Sequence, residues 1–453
     1  MTPTELYNHI SETEGIPMQE LNPLQYELMQ IAEEAEGLRG ERQVSRNQVS
    51  KSIDEISNKL AGEYRHLERA QVLREKAFDL IDITYNETET ILGRDRDYFF
   101  TGIAQLLVRL GEVERAKQIV DSFDVISYKA SALSKIGALT HDIGLVEEAL
   151  RLANEISGDG SERTRVLGDV TVNIARGGFF DLAIESVMPL TDWSERSLAL
   201  SDIAIEIAHT GDLDRAIQLA NEASIPTDKD RIKSEIAICM AGSGNIEEAL
   251  AIISQDNKVD ANRAKVEIIK IIAQAGDYQR AFQLAGVFFN SRDEYSHDLA
   301  LSHIAVAQAN RGDTDEALRW LGMMHDSNIK AMALAQIGTN AQLSEIIGRA
   351  LDAVQGDGIF DIAASTLNPV FISKALQRAE SQTNSVYKER QFALMAPLLV
   401  KTGDTDKALM LIHSINDDGT RINALISVVQ TIIGQLDALE KDKPQPASIE
   451  TTS

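Results

Sequence analysis

The chain has 453 residues, of which 44 are Lys or Arg and 70 are Asp or Glu, so its formal net charge is −26. With 43% hydrophobic residues the composition is that of a folded protein, and the acidity disfavours binding to nucleic-acid phosphates and to anionic membranes. A basic or mixed-charge protein partner fits this charge better. The single cysteine, Cys239, excludes an intramolecular disulfide.

Residues 1–20 carry no apolar core typical of a secretory signal, and we expect a flexible N-terminus there. In residues 21–98, apolar residues step by mostly three and four among charged ones, which predicts long amphipathic helices over about 42–92. These helices fit either a polar helical cap on the following region or a short coiled coil, and a coiled coil would allow self-association through 42–92. The apolar residues of this stripe are Val49, Ile53, Ile56, Leu60 and Leu67.

Residues 99–436 repeat one pattern, a glycine followed after four residues by an alanine, which we call the marker. The first seven marker glycines are separated by 33, 34, 33, 33, 32 and 36 residues. A period of about 34 residues is typical of a helix–turn–helix solenoid unit. The markers are Gly111 with Ala116, Gly144 with Ala149, Gly178 with Ala183, Gly211 with Ala216, Gly244 with Ala249, Gly276 with Ala281, Gly312 with Ala317, and Gly403 with Ala408.

The unit around Gly211 indicates the physical meaning of the marker. We expect the first helix to end at Gly211, where the backbone often needs a positive φ. The acids after the glycine favour the start of a second helix, and the small Ala216 allows the two helices to approach closely. The predicted apolar stripe of the first helix is Leu200, Ile203, Ala204 and Ile207.

The marker is absent between Gly312 and Gly403, so residues 325–400 are expected to hold two or three degenerate units. Beyond 436, the segment 437–453 is polar and contains proline, and we expect a disordered tail. The helices predicted in the degenerate region span 330–342, 343–354, 359–367, 371–382 and 387–402.

Four marker segments resemble the turn and second-helix start of tetratricopeptide repeats. The resemblance covers about three quarters of the chain. It implies an all-α fold, a right-handed α–α superhelix (solenoid) of helix–turn–helix repeats, here with an N-terminal helical cap. The segments are GDLDRAI at 211–217, GDYQRAF at 276–282, GDTDEAL at 312–318 and GDTDKAL at 403–409.

A row of mostly polar residues stands two positions before the marker glycines. Because first helices line the concave groove in tetratricopeptide arrays, the resemblance implies that this row lies near the groove edge and contacts a partner. The alternative is a solvated row whose cations compensate the helix dipoles at the helix C-termini. The candidate partner-binding residues are Arg109, Arg176, His209, Gln274, Asn310 and Lys401.

The acids that follow the marker glycines are interpreted as helix N-terminal residues and not as a ligand site. No catalytic constellation, no cofactor motif and no metal-ligand spacing is present in the sequence, so neither enzyme activity nor a cofactor is expected. We expect a cytoplasmic protein- or peptide-binding scaffold, with non-classical secretion left open. The alternative is a helical-repeat enzyme or small-molecule sensor with a pocket in 330–400.

Overall fold

The computed structural model describes residues 46–157, 161–190, 192–222, 226–253, 258–291 and 293–441. These residues form 22 helices and no strand, which confirms the all-α prediction for this part of the chain. The predicted flexible segment 1–20 lies outside the described residues, as do residues 442–453 of the predicted tail.

The first helix, α1, spans Arg46–Glu89, in agreement with the long helix expected over 42–92. Of its predicted apolar stripe, only Leu67 has a described side chain, and this side chain is 57% exposed. The chain divides into two units, one of residues 1–80 with 432–453 and one of residues 81–431. In the first unit, Arg74 and Glu440 form an ion pair of 3.3 Å.

The second unit contains ten consecutive helical hairpins, each made of a first helix, a tight turn and a second helix. The first five are α2 (Arg94–Arg109) with α3 (Val113–Asp121), α4 (Ile126–Thr140) with α5 (Ile143–Glu155), α6 (Ser161–Arg176) with α7 (Phe180–Val187), α8 (Trp193–His209) with α9 (Leu213–Glu222), and α10 (Pro226–Gly242) with α11 (Ile246–Ile253). The others are α12 (Lys258–Ala275) with α13 (Tyr278–Ser291), α14 (Glu294–Asn310) with α15 (Thr314–Gly322), α16 (Ser327–Asn340) with α17 (Ser344–Ala353), α18 (Gly358–Thr366) with α19 (Pro369–Glu380), and α20 (Ser385–Lys401) with α21 (Thr405–His413).

Each first helix packs against its own second helix and against the first helix of the next hairpin, from α2 to α20. The contact between α18 and α20 is the least extensive of this series. Burial of the apolar stripes stabilises the stack. The predicted stripe of α8, for example, is at most 2% exposed at Leu200, Ile203, Ala204 and Ile207.

The last helix, α22, spans Asp418–Lys441. Residues 437–441, which were predicted to begin a disordered tail, are therefore helical. Its first part, up to residue 431, belongs to the second unit and contacts the start of that same unit, where Arg421 Nε donates to Glu87 Oε2 at 2.9 Å. A Cβ on Gly102 would lie 3.1 Å from Ile426 Cδ1, so α2 and α22 approach closely. By length and composition α22 is the one helix of the described residues that could cross a bilayer, but half of its most apolar window is buried, as in a core helix.

The turns within the hairpins are of two kinds. Three turns hold a left-handed residue other than glycine, namely His141, Gln342 and Leu367, with φ of 53°, 55° and 51°. We call these the non-glycine-turn hairpins and the other seven the glycine-turn hairpins. The glycines of the seven turns, with φ from 84° to 97°, are Gly111, Gly178, Gly211, Gly244, Gly276, Gly312 and Gly403.

The degenerate region therefore contains two hairpins whose turns are at Gln342 and Leu367, which is why it shows no marker glycine. The five helices predicted there are confirmed, since α16 to α20 match them within three residues at every boundary.

Gly144 is placed differently from the other marker glycines. It lies in the first turn of α5, where its N–H donates to Asp142 Oδ1 at 3.0 Å, and the turn residue is His141. The expectation that the marker glycine ends a first helix is wrong at this one position, because the left-handed His141 ends α4 three residues earlier.

Candidate binding site

The predicted partner-binding row lies where the marker placed it, at the C-terminal ends of first helices. Gln274 is the penultimate residue of α12, and the other five each end a first helix. All six residues are exposed: Arg109, Arg176, His209, Gln274, Asn310 and Lys401.

Several members of the row bind the neighbouring hairpin. Arg176 Nε donates to Glu206 Oε1 on α8 at 2.9 Å. Asn310 Oδ1 accepts from Asn340 Nδ2 on α16 at 2.9 Å. The Gln274 carbonyl oxygen accepts from a guanidinium nitrogen of Arg311 at 3.1 Å. Part of the row therefore connects neighbouring hairpins through hydrogen bonds.

Two members of the row, Arg109 and Arg176, line one cavity of 390 Å³ together with Lys135 of α4. We call it the cationic cavity. His209, Gln274, Asn310 and Lys401 do not line it. Its polar lining residues are Gln105, Arg109, Lys135, Asn173, Arg176 and Gln430, and none of the lining residues is Asp or Glu.

A cavity of 880 Å³, larger than the cationic cavity, is formed mainly by the first helices α14, α16, α18 and α20. A second cavity of 680 Å³, lined largely by α12 and α14, shares Tyr295 and Leu299 with it. We call the two together the α12–α20 groove. Since α18 meets α20 over only a short stretch, the stack leaves space at this point.

The larger cavity combines exposed apolar side chains with acids. Tyr295 and Leu394 are 63% and 62% exposed. The acids that line the cavity are Asp326, Asp357 and Asp361, and no Lys or Arg lines it. The cavity is therefore suited to a segment that carries both apolar and basic groups.

Hydrogen bonds hold one wall of this cavity in place. Tyr387 Oη donates to Asp357 Oδ2 at 2.6 Å, and this bond raises the pKa of the Tyr387 hydroxyl. Arg378 lies 3.5 Å from Asp357 Oδ1. Gln391, which also lines the cavity, has a buried Oε1 without a hydrogen-bond partner among the described residues.

His303 adds an uncharged imidazole to the cavity lining. Burial lowers the pKa of His303, and the nearby positive charge of Lys270 lowers it further, although Glu267 acts in the opposite direction. His303 is therefore neutral at neutral pH, since its ordinary pKa is already 6.5.

Side-chain hydrogen bonds support the interpretation of acids after the marker glycines as helix-capping groups. The Asp313 carboxylate accepts from the Glu316 N–H at 3.2 Å and the Asp404 carboxylate from the Lys407 N–H at 3.2 Å. Asp212 and Asp277 bind the N–H three residues later in the same way. These carboxylates satisfy backbone donors that a helix start leaves unpaired.

The sequence reasoning missed acids inside first helices that bind the link to the next hairpin. Asp97 Oδ2 accepts from the Val125 N–H at 2.9 Å. Asp298 Oδ2 accepts from the N–H groups of His325 and Asp326, both at 2.7 Å. The available signal was a carboxylate about 28 residues before the linking segment whose N–H groups it binds. The Asp298 side chain is 1% exposed, so its role is structural.

Among the described residues, no group of three or more His, Cys, Asp or Glu side chains could hold a metal ion. Cys239 is half-buried, and burial raises the pKa of its thiol, which leaves it protonated at neutral pH.

Comparison with known proteins adds little to this description. No family model matches the chain, and no curated protein matches it. Among the solved structures, Ton1535 from Thermococcus onnurineus NA1 matches 72% of this chain and 97% of its own, with 18% identity and a TM-score of 0.26. A TM-score this low supports no argument about fold or function.

Proposed function

We propose that residues 99–436 form a tetratricopeptide-like, right-handed α–α superhelix that binds a protein or peptide. The observation that carries the proposal is the α12–α20 groove, which consecutive first helices build and which runs through five hairpins. In helix-in-groove and extended-peptide recognition, apolar anchors give affinity and a few polar groups give orientation. Tyr295 and Leu394 would supply the apolar contacts.

The acids of the larger cavity favour a basic partner segment. No Lys or Arg lines the cavity beside Asp326, Asp357 and Asp361, although Arg378 outside the lining lies 3.5 Å from Asp357. A Lys or Arg side chain of the partner would reduce the repulsion between these carboxylates, and its aliphatic stem would cover apolar surface. This agrees with the basic or mixed-charge partner expected from the net charge of −26.

A defined probe tests the proposal. A fluorescein-labelled 12-residue peptide of alternating Lys and Leu is titrated with the full chain and followed by anisotropy. Leu394→Lys places a cation in the groove and should weaken binding at least tenfold. Met410→Lys is the matched control, because Met410 is 72% exposed on α21, outside the groove. Equal binding by both variants would remove the groove as the docking surface.

The larger cavity also supports a second candidate function, a small-molecule sensor or helical-repeat enzyme. Its 880 Å³ lies within the range of about 300–1,000 Å³ that small-molecule sites occupy, and much of its lining comes from residues 326–361. A metabolite library screened by thermal shift separates the two candidates. A ligand whose stabilisation disappears in Gln391→Leu, while the peptide still binds, would favour the sensor.

A further inference from the structure

The cationic cavity gathers three positive side chains in an acidic protein. Arg109 ends α2, Lys135 lies in α4 and Arg176 ends α6, so three successive first helices each contribute one. None of the residues that line the cavity carries a negative charge. Arg176 pairs with Glu206, but its positive charge still disfavours a charged Lys135, and an anion in the cavity would reduce this repulsion.

Lys135 is the most informative of the three. Within the described residues, no hydrogen bond or ion pair engages its ammonium group. Burial lowers the pKa of Lys135, Asp169 raises it, and Arg176 lowers it. Asp169 is itself bound to Arg165 at 3.1 Å. The Lys135 ammonium therefore retains donors for a group that enters the cavity.

Amide and guanidinium groups line the same cavity as this ammonium. Asn173 is 6% exposed, and its Nδ2 donates to Ser134 Oγ at 3.0 Å. Arg176 uses its Nε for Glu206, and a guanidinium has four further N–H donors. Gln105 and Gln430 add two more amides to the lining. Convergent ammonium, guanidinium and amide donors are the chemistry that binds oxyanions.

Within the second unit, the cavity also lies where the first part of α22 meets α2, α4 and α6. Gln430 belongs to α22, whereas the other lining residues belong to α2, α4 and α6. A bound group would thus contact both α22 and α2, which already approach closely at Ile426 and Gly102.

We propose that the cationic cavity is an oxyanion-binding site that takes a phosphate or carboxylate group and stabilises the packing of α22 on α2. The site is independent of the α12–α20 groove, and its ligand is a small anion or an anionic group of a larger molecule. A ligand bound only by the native state raises stability, because the unfolded chain does not present the three cations together.

Isothermal titration of the full chain with inorganic phosphate, and separately with glutarate, tests the site at low ionic strength. Lys135→Met keeps the side-chain volume and removes the charge, and it should weaken binding about tenfold or more. Lys374→Met is the matched control, since Lys374 is an exposed lysine on α19, bound at 3.4 Å to Gln377. The control should bind within twofold of the unaltered protein.

Each outcome decides the proposal. Binding of phosphate alone assigns a phosphate group, binding of glutarate alone assigns a carboxylate, and binding of neither overturns the site. Equal affinities for Lys135→Met and Lys374→Met also overturn it. Arg109→Gln provides a second variant if Lys135→Met unfolds, which circular dichroism shows directly.

Hydrogen exchange reports on the junction. The bound anion should slow amide exchange in residues 418–431 several-fold in the unaltered protein and in Lys374→Met, but not in Lys135→Met. Anion binding without this slowing would overturn the stabilising role of the site. The peptide assay on the groove uses other variants, so its failure would leave this result unaffected.

Discussion

In both kinds of hairpin the two helices approach closely at one small residue. Glycine-turn hairpins carry this small residue on the second helix, and non-glycine-turn hairpins carry it on the first helix. In glycine-turn hairpins, the marker alanine five residues after the turn glycine is fully buried, and the residue four before that glycine is large. In non-glycine-turn hairpins, the later position holds Val146, Ile347 or Ile372. The earlier one holds a small residue, namely Gly137, Gly338 or Ala363 respectively.

This exchange of small and large residues between the two helices explains why a hairpin forms without the marker glycine and alanine. A Cβ on Gly137 would lie 2.8 Å from Val146 Cγ2, and one on Gly338 would lie 2.9 Å from both Cγ1 and N of Ile347. A small residue is thus required on one of the two helices, but either helix can supply it. Interiors packed at crystal-like density accept such volume-conserving exchanges.

The largest loss of stability is expected at the small residue of a non-glycine-turn hairpin, where no space is left for a larger side chain. Gly338→Ala places a methyl group against the backbone of Ile347 and should destabilise the protein by about 1–3 kcal/mol. Gly348→Ala, in α17 of the same hairpin, meets nothing within 4 Å and should stabilise it by about 0.5–1 kcal/mol through helix propensity. Urea unfolding measures both changes. Two changes of the same sign would refute the size exchange.

The turns themselves offer a reciprocal pair of substitutions. Gly211 has a φ of 91° and open space around a Cβ, so Gly211→Gln should cost about 1–2 kcal/mol from backbone strain alone. Gln342 is exposed with a φ of 55°, so Gln342→Gly should gain up to about 1 kcal/mol. Thermal and urea unfolding provide the two measurements. A loss of stability in Gln342→Gly would mean that this side chain, and not the turn geometry, holds the hairpin.

The segments that link one hairpin to the next should differ less between the two kinds of hairpin than the turns within the hairpins do. Glu389 accepts from Asn416 Nδ2 at 3.0 Å and from the Asp417 N–H at 3.2 Å, and these bonds lower the pKa of Glu389 below its ordinary 4.5. Its contribution to stability is therefore complete above pH 4.5 and is lost as the pH falls through the lowered pKa of the folded state.

Glu389→Gln tests this pH dependence. The variant should be less stable than the unaltered protein at pH 7, and the difference should shrink below pH 4.5. Urea unfolding at several pH values measures it. Glu380→Gln serves as the control, because Glu380 is an exposed acid at the end of α19. A difference that stays constant down to pH 3 would contradict the assignment.

The smallest change in stability is expected for the exposed ion pairs between second helices. Ion pairs join neighbouring second helices of glycine-turn hairpins, as between Arg215 and Asp181 or between Arg280 and Glu247. The positions corresponding to Arg215 in non-glycine-turn hairpins are apolar, at Leu145, Ile346 and Phe371. Arg215→Gln should cost less than about 1 kcal/mol, since Asp181 is 88% exposed. The cost should fall further in 0.5 M salt; a cost that salt leaves unchanged would point to packing against Phe180 instead.

The cationic cavity shows how far sequence reasoning about the site reached. Arg109 and Arg176 were predicted as contact residues from their spacing before the marker glycines, and their role in binding stays a prediction. Lys135 was missed, although it is the one charged residue in the small and apolar stretch 130–140. The prediction used only residues two positions before a marker glycine. In this hairpin the marker glycine is Gly144, which is not the turn residue.

The sequence by itself indicated helical hairpins and eight marker glycines, each followed by a small alanine, because helix periodicity and a positive φ leave local signatures. Seven of these glycines are turn residues. Tertiary structure alone decided that His141, Gln342 and Leu367 could replace the turn glycine, since the cost of a left-handed residue is offset by packing that local sequence does not show. It also decided the contact of α22 with α2 and the assembly of Arg109, Lys135 and Arg176 around one cavity. Those depend on distances between residues far apart in the chain, which a repeat period cannot encode.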